Sequence, residues 1–243
     1  MKKLLITADS DDATKLLTGL TGSRIEPVHL PLEHYKYASD RKQGIVLEDQ
    51  REVYNFVVFG SLRNSRHYLT WLNQFDLQDE FRQKIHLVMN RPEMEFLEKH
   101  EIPAILPKEN ARPIDIMEFL LRISISGGVL YPCAEESSEE IPGLLQELQI
   151  PVSELTVCRS VPFEKSEIDQ KRKEIKKVEP DGILFHSRSS VIRTRTAFPD
   201  IDLSSKKLIA ASAGVAEKLR QEGFVPEVTA EGSWESIIKE FED

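Results

Sequence analysis

Four consecutive residues, Ser187-Arg188-Ser189-Ser190, hold the densest potential for chemistry in the chain. They follow the short apolar run Ile183-Leu184-Phe185 and His186, and a helix is expected to start on them. Hydroxyls and backbone N–H groups at a helix N-terminus attract anions, and a guanidinium can meet a carboxylate through two parallel bonds. The indicated chemistry is the holding of carboxylates, with Arg193 and Arg195 extending the positive charge. The plainer alternative is that Ser189 or Ser190 only caps the helix. A second set, Ser61, Arg63 and Asn64 with Arg66 beyond, occupies an equivalent loop earlier in the chain, where the plainer alternative is a self-satisfied loop. A third, Ser212-Ala213-Gly214-Val215, follows the run Leu208 to Ala211 and offers backbone N–H donors at another helix start.

Other catalytic signatures are missing from the sequence. It has no GxGxxG after a strand, no phosphate-binding P-loop, no HExxH, no CxxC and no GxSxG. His29, His34, His67, His86, His100 and His186 show no metal-ligand spacing, and Cys133 and Cys158 are far apart. Neither metal nor nicotinamide chemistry is indicated, which leaves chemistry by positioning and charge, with no cofactor expected. The two cysteines read as free thiols of a cytoplasmic protein. No apolar run reaches membrane-spanning length, and Asp9, Asp11 and Asp12 cut short the apolar start at Leu4-Leu5-Ile6. A formal charge of −9 argues against a nucleic-acid partner. It also means that a polyanionic substrate needs a local basic patch to reverse the sign of the field.

These loops need strands to end beneath them and helices to begin on them. Leu4 to Ala8 read as a buried strand, followed by a helix with Leu16, Leu17 and Leu20 inward and a second strand over 24–30. Pro31 to Ser39 is extended and without helical period, and a polar stretch follows from Asp40 to Asn55. The opening pattern then returns. A strand over 56–59 precedes the Ser61 loop and a helix over 67–75; a strand over 85–89 and a helix over 94–100 follow. A helix is expected over 114–123, a strand over 129–131 and a helix over 141–148. The charged stretch 165–178, with Ile168, Ile175 and Val178 on one side, reads as a surface helix. Val215 and Leu219 share a helix face, and Gly223 stands where that helix should end in the left-handed region. An amphipathic tail helix is expected over 234–241. The order and spacing from Ser61 to Leu97 match those from Ser187 to Leu219, an internal repeat that favours two related α/β lobes over one large sheet.

FHSRSSV (185–191), followed by LIAASAGVAEKLRQEGFVPEVTAEGSWESIIKEF (208–241), resembles the uroporphyrinogen-III synthase family, whose Phe-Thr-Ser-Pro-Ser strand end precedes an Ile-Gly-x-x-Thr-Ala-x-x-Leu helix start. The resemblance covers nearly the whole chain in outline and is close in the last quarter. It implies two parallel-sheet, flavodoxin-like lobes joined by a two-stranded linker. Domain 1 is then 1–33 plus 163–243, domain 2 is 40–156, and the linker strands are 34–39 and 157–162. It also implies a monomeric, cofactor-free lyase that closes the linear tetrapyrrole hydroxymethylbilane to uroporphyrinogen III, inverting the last ring, in haem biosynthesis. On this reading Ser61, Arg63, Asn64, Ser187, Arg188, Ser189, Ser190, Ser212, Ala213, Gly214 and Val215 bind the substrate's carboxylate arms, with the two basic loops facing across a cleft.

The chain departs from the family at four polar positions. The family Thr falls on Val215, and the linker Tyr linked to departure of the substrate hydroxyl falls on Cys158. An Arg-Gly falls on Cys133-Ala134, and a Thr-Arg-Pro appears as Thr7-Ala8-Asp9. No catalytic residue is assigned. The alternative is a member that binds a tetrapyrrole or other polycarboxylate without turnover, which the departures at Val215 and Cys158 favour. A two-lobed phosphoacceptor module is a weaker third reading, because Asp9 to Asp12 do not make a convincing acidic pocket.

Overall fold

The computed structural model describes residues 1–38, 53–109, 111–123, 126–135, 140–229 and 241. The chain divides into two compact units, Met1–His34 with Val161–Asp243, and Tyr35–Ser160. Each is a mixed α/β layer structure built on its own parallel sheet.

In the first unit, β1 (Lys2–Ile6) and β2 (Ile25–His29) flank α1 (Ser10–Gly19) in sequence. After α7 (Lys165–Val178), β9 (Gly182–Phe185), α8 (Arg188–Ala197), β10 (Lys207–Ala210), α9 (Ala213–Gln221) and β11 (Val228–Thr229) complete it. The sheet order is β11-β10-β9-β1-β2, and every pairing in it is parallel. Leu4, Leu5, Ile183 and Ile209 have essentially no exposed surface, as unbroken apolar runs covered on both faces require. In the charged helix α7 only Ile175 is fully buried; Ile168 and Val178 pack partly against the same core.

The second unit contains β3 (His34–Tyr37), β4 (Tyr54–Val58), α2 (Leu62–Gln74), α3 (Gln78–Arg82), β5 (Ile85–Leu87) and α4 (Arg91–Lys99). It continues through β6 (Ala104–Ile105), α5 (Pro113–Arg122), β7 (Gly128–Ala134), α6 (Glu140–Glu147) and β8 (Val152–Val161). The sheet order is β3-β8-β7-β4-β5-β6. β3 forms its edge, and β8 runs unbroken through residues 157–161. One face buries Trp71, Tyr68 and Phe81; the other buries Phe56, Ile116 and Leu145.

The two sheets share one wiring, displaced in sequence. Beginning at β9, the first unit runs β9, β10, β11, β1, β2; beginning at β4, the second runs β4, β5, β6, β7, β8. With the second sheet's edge strand β3 set aside, both then place these five strands in the order 3-2-1-4-5. The order reverses between the first and fourth strands, β9 and β1 in one unit and β4 and β7 in the other, and in open α/β sheets ligands bind beyond the strand ends at such a point.

Several expected boundaries move. α2 begins at Leu62 rather than His67, because Ser61 caps it and its polar first turn imitates a loop. β7 continues through Pro132 to Ala134, although a proline commonly ends a strand. The expected tail helix lies outside the described residues apart from Phe241, and so does most of the polar stretch from Asp40 to Asn55.

Candidate functional site

At the tips of β9 and β10 the geometry separates working groups from structural ones. The cap of α8 is Ser187, not Ser189 or Ser190: its Oγ accepts from Ser190 N–H at 3.1 Å. Ser190 Oγ returns the bond by donating to the Ser187 carbonyl at 2.6 Å, and it accepts from Ser187 N–H at 3.2 Å. Ser190 is 2% exposed, so its hydroxyl serves the helix and cannot also serve a ligand. The exposed members are Arg188 and Ser189.

Arg188 lies across the next helix start. Its Nε donates to the Gly214 carbonyl at 3.3 Å, and its guanidinium stands 3.0 Å from the place a Gly214 side chain would begin. Ser212 caps α9 by accepting from Val215 N–H at 3.4 Å. Ser187, Arg188 and Ser189 are therefore brought together with Ser212, Ala213 and Gly214 at one rim of the sheet. The first turn of α9 directs N–H groups outward there, beside an exposed cation. Val215 turns its side chain into the core and gives its N–H to Ser212.

The expected extension of this cluster is corrected by its partners. Arg193 is paired with Glu33, a carboxylate only 3% exposed, and donates to Ser189 Oγ at 3.2 Å. Arg195 is paired with Glu222, which also accepts from Lys218 at 2.7 Å. These arginines stabilise their own helix surroundings and do not add free charge to the rim. Glu33 also accepts from His186 Nε2 at 2.6 Å, which ties the segment after β2 to the tip of β9.

In the second unit the equivalent rim is formed by β4, β5 and β7. Ser61 caps α2, accepting from Asn64 N–H at 3.3 Å. Asn64 is 5% exposed, and its side-chain oxygen faces Cys158 Sγ at 3.8 Å. Arg63 lays its guanidinium over the Tyr35 ring, 3.7 Å from the centroid, and exposed Arg66 approaches Phe96 at 5.5 Å. Ser61 and Arg63 thus sit at the rim, while Asn64 is turned into the core.

Sequence reasoning passed over three features here. Asn90 caps α4 as Ser212 caps α9, accepting from Glu93 N–H at 3.1 Å. The string Asn90-Arg91-Pro92-Glu93 carried that signal, with a capping residue, an early proline and an acid three residues on. Gly60 and Tyr131 form a contact that spacing could not suggest, because a β-carbon on Gly60 would lie 2.5 Å from the Tyr131 hydroxyl oxygen. Glu33 gave no signal at all. Of the departures, Cys158 is fully buried among Tyr68, Trp71 and Val157, whereas Cys133 lies in the cluster on the opposite sheet face, with Sγ 3.9 Å from Glu154.

Cavities of about 710 Å³ beside Phe56, Lys84 and Ile85, and about 340 Å³ beside Arg172, Pro180 and Lys206, open near the starts of strands. None of the candidate binding residues lines them. Among the described residues, no helix is long and apolar enough to cross a membrane.

No curated protein sequence matches the chain. Its fold is similar to that of uroporphyrinogen-III synthetase from Helicobacter pylori, with a TM-score of 0.65 at 14% identity, covering 99% of this chain and 98% of that one. It is also similar to a mutant uroporphyrinogen III synthase from Thermus thermophilus, with a TM-score of 0.54 at 14% identity, covering 100% and 98%. The family profile for uroporphyrinogen-III synthase HemD matches residues 15–236. With that match over most of its length, the chain belongs to the uroporphyrinogen-III synthase family of cyclising lyases.

Proposed function

We propose that this chain retains turnover and closes hydroxymethylbilane to uroporphyrinogen III by holding the substrate's acetate and propionate arms on its strand-tip amides. The observation that carries the reading is Arg188 seated across the start of α9, an exposed cation beside outward N–H groups on a chain of net charge −9. It supplies the local reversal of sign that a polycarboxylate needs. Ser61, Arg63 and the Asn90 helix start offer groups of the same kind at the second unit's own rim. Asn64, Ser190 and the Val215 side chain drop out of direct binding, since each is buried.

Such a site has to position the reacting ring more than react with it. Loss of the terminal hydroxyl leaves a stabilised azafulvene cation, attack by the substituted ring carbon gives a spiro intermediate, and fragmentation and reclosure complete the inversion. Fixed amides and guanidinium groups select which carbon attacks by holding the arms. Because backbone N–H groups do much of this holding, the change from the family's Thr to Val at position 215 removes a hydroxyl but leaves the Ala213 and Gly214 amides in place. The shared 3-2-1-4-5 wiring, which from Met1 reads 2-1-3-4-5 in the first unit, supports two flavodoxin-like lobes with 34–39 and 157–162 as connecting strands.

The test supplies purified protein with freshly generated hydroxymethylbilane and separates the product isomers. Isomer III is expected in excess of the spontaneous reaction. Isomer I alone, at the uncatalysed rate, would instead support binding without turnover.

A further inference from the structure

Closure of the bilane requires a proton for the departing hydroxyl and removal of another once the ring has formed. The groups that hold carboxylates supply hydrogen bonds and positive charge, but no proton for transfer. In the second unit the titratable side chains near the rim are mostly committed elsewhere. Cys158 is in the core on the far sheet face, and buried His86 is held neutral. Glu93 accepts from Met89 N–H and Asn90 Nδ2, both at 2.9 Å.

Tyr131 differs from these groups. It lies on β7 beside the end of β4, since the register pairs Leu130 with Val57. Its ring packs in the cluster containing Phe56, Val58 and Cys133, and its side chain leans along the strand toward the rim. The hydroxyl reaches Gly60, where any side chain would meet it at 2.5 Å. Gly60 is the residue before the Ser61 cap, so glycine there leaves the phenol room at the point where β4 and β7 part.

We propose that the Tyr131 phenol is the proton carrier of the cyclisation, an assignment that rests on the function proposed above. Its O–H proton passes to the hydroxymethyl oxygen as the C–O bond breaks, and water leaves. The azafulvene cation then stands beside a phenolate. The substituted carbon of the last ring attacks the methylene carbon, the spiro intermediate fragments, and the ring recloses through its unsubstituted carbon. That carbon's C–H proton returns to the phenolate as the pyrrole regains aromaticity. The net change is loss of one water, and the protein ends as it began.

The surroundings keep the phenol loaded and make its phenolate a strong base, ready to take the C–H proton back. Burial, followed by nearby Cys133, Glu93 and Glu154, pushes the phenol above its ordinary range, so it stays loaded through neutral pH. Arg63 acts in the opposite direction and offers a countercharge to the phenolate.

The experiment compares wild type, Tyr131→Phe, Gly60→Ala and the double variant on fresh hydroxymethylbilane, with isomer separation and thermal unfolding of each. Tyr131→Phe should lower kcat for isomer III by about 100-fold, the scale of a lost general acid, with KM within about twofold. Its residual rate should rise as pH falls, because hydronium must replace the phenol, whereas the wild-type rate stays flat. Gly60→Ala should slow the wild type by displacing the phenol, yet cost nothing further in the Phe background. Wild type that makes isomer III alongside an equally fast Tyr131→Phe overturns the assignment alone, as does a slow variant with an unchanged pH profile. Wild type that makes only isomer I removes the proposed function, and the assignment with it.

Discussion

Glu33 and His186 meet at 2.6 Å, carboxylate oxygen to Nε2, although 153 residues separate them in the chain. The other Glu33 oxygen takes Arg193, so one buried carboxylate joins the segment after β2 to both the tip of β9 and helix α8. Removing one partner of a buried pair leaves the remaining charge without compensation, a loss of about 3 kcal/mol or more. Glu33→Ala should therefore lower the urea midpoint strongly at neutral pH. At temperatures where the variant stays folded, the KM for hydroxymethylbilane should hardly change. A raised KM at unchanged stability would place Glu33 on the substrate instead.

Arg188 and Arg195 make a matched comparison on one helix. Arg188 is exposed and, among the described residues, bonds to a carbonyl, whereas Arg195 is neutralised by Glu222. A charge-assisted bond to a carboxylate contributes roughly 1.5–3 kcal/mol. Arg188→Ala should accordingly raise KM by about tenfold or more with kcat changed little, and wild-type KM should climb with ionic strength. Arg195→Ala should leave KM within about twofold. Equal effects from the two, measured by steady-state kinetics, would mean that the rim is not where the carboxylates are held.

Much of the fold was legible because its evidence is local. Runs such as Leu4-Leu5-Ile6 and Ile183-Leu184-Phe185 announce strands covered on both faces, and the left-handed Gly223 closes α9 where expected. The repeat could be read from the loops, since Ser61 and Ser187 cap equivalent helices after equivalent strands. The site was legible only as a set of addresses. Whether Ser190 faces a ligand or its own helix depends on a rotamer, and whether Arg193 is available depends on Glu33, which lies 160 residues away. The Gly60–Tyr131 contact was hidden for the same reason: it joins two strands that are neighbours only in the folded sheet.

The C-terminal segment can be tested through Phe241. This ring is fully buried in the cluster with Leu4, Ile6 and Leu184, and it fills the space that Gly182 leaves open. A β-carbon on Gly182 would stand 2.3 Å from the ring and 2.9 Å from the Lys207 carbonyl. The ring can shift, but the backbone of the neighbouring strand gives little room. Gly182→Ala should cost about 1–3 kcal/mol as overpacking, and Phe241→Ala about 3–5 kcal/mol as a cavity. Chemical denaturation measures both. If Phe241→Ala unfolds at the wild-type midpoint, this ring does not support the first unit's core.

His86 should set an acid limit on stability. It sits on β5 with 1% exposure, and burial pushes its imidazole down to about 4, with the Lys84 and Pro103 backbones opposing. An unfolded chain titrates its histidines near 6.5, so between about 6.5 and 4 the unfolded state binds a proton that the folded state refuses. Stability from this group is therefore complete above about pH 6.5 and falls as pH drops toward 4, by about 3 kcal/mol across the window. Urea midpoints at several pH values, compared between wild type and His86→Phe, isolate the effect. The Phe variant should lose less stability than wild type between pH 6.5 and 4.5, and parallel curves would show that His86 is not the group responsible.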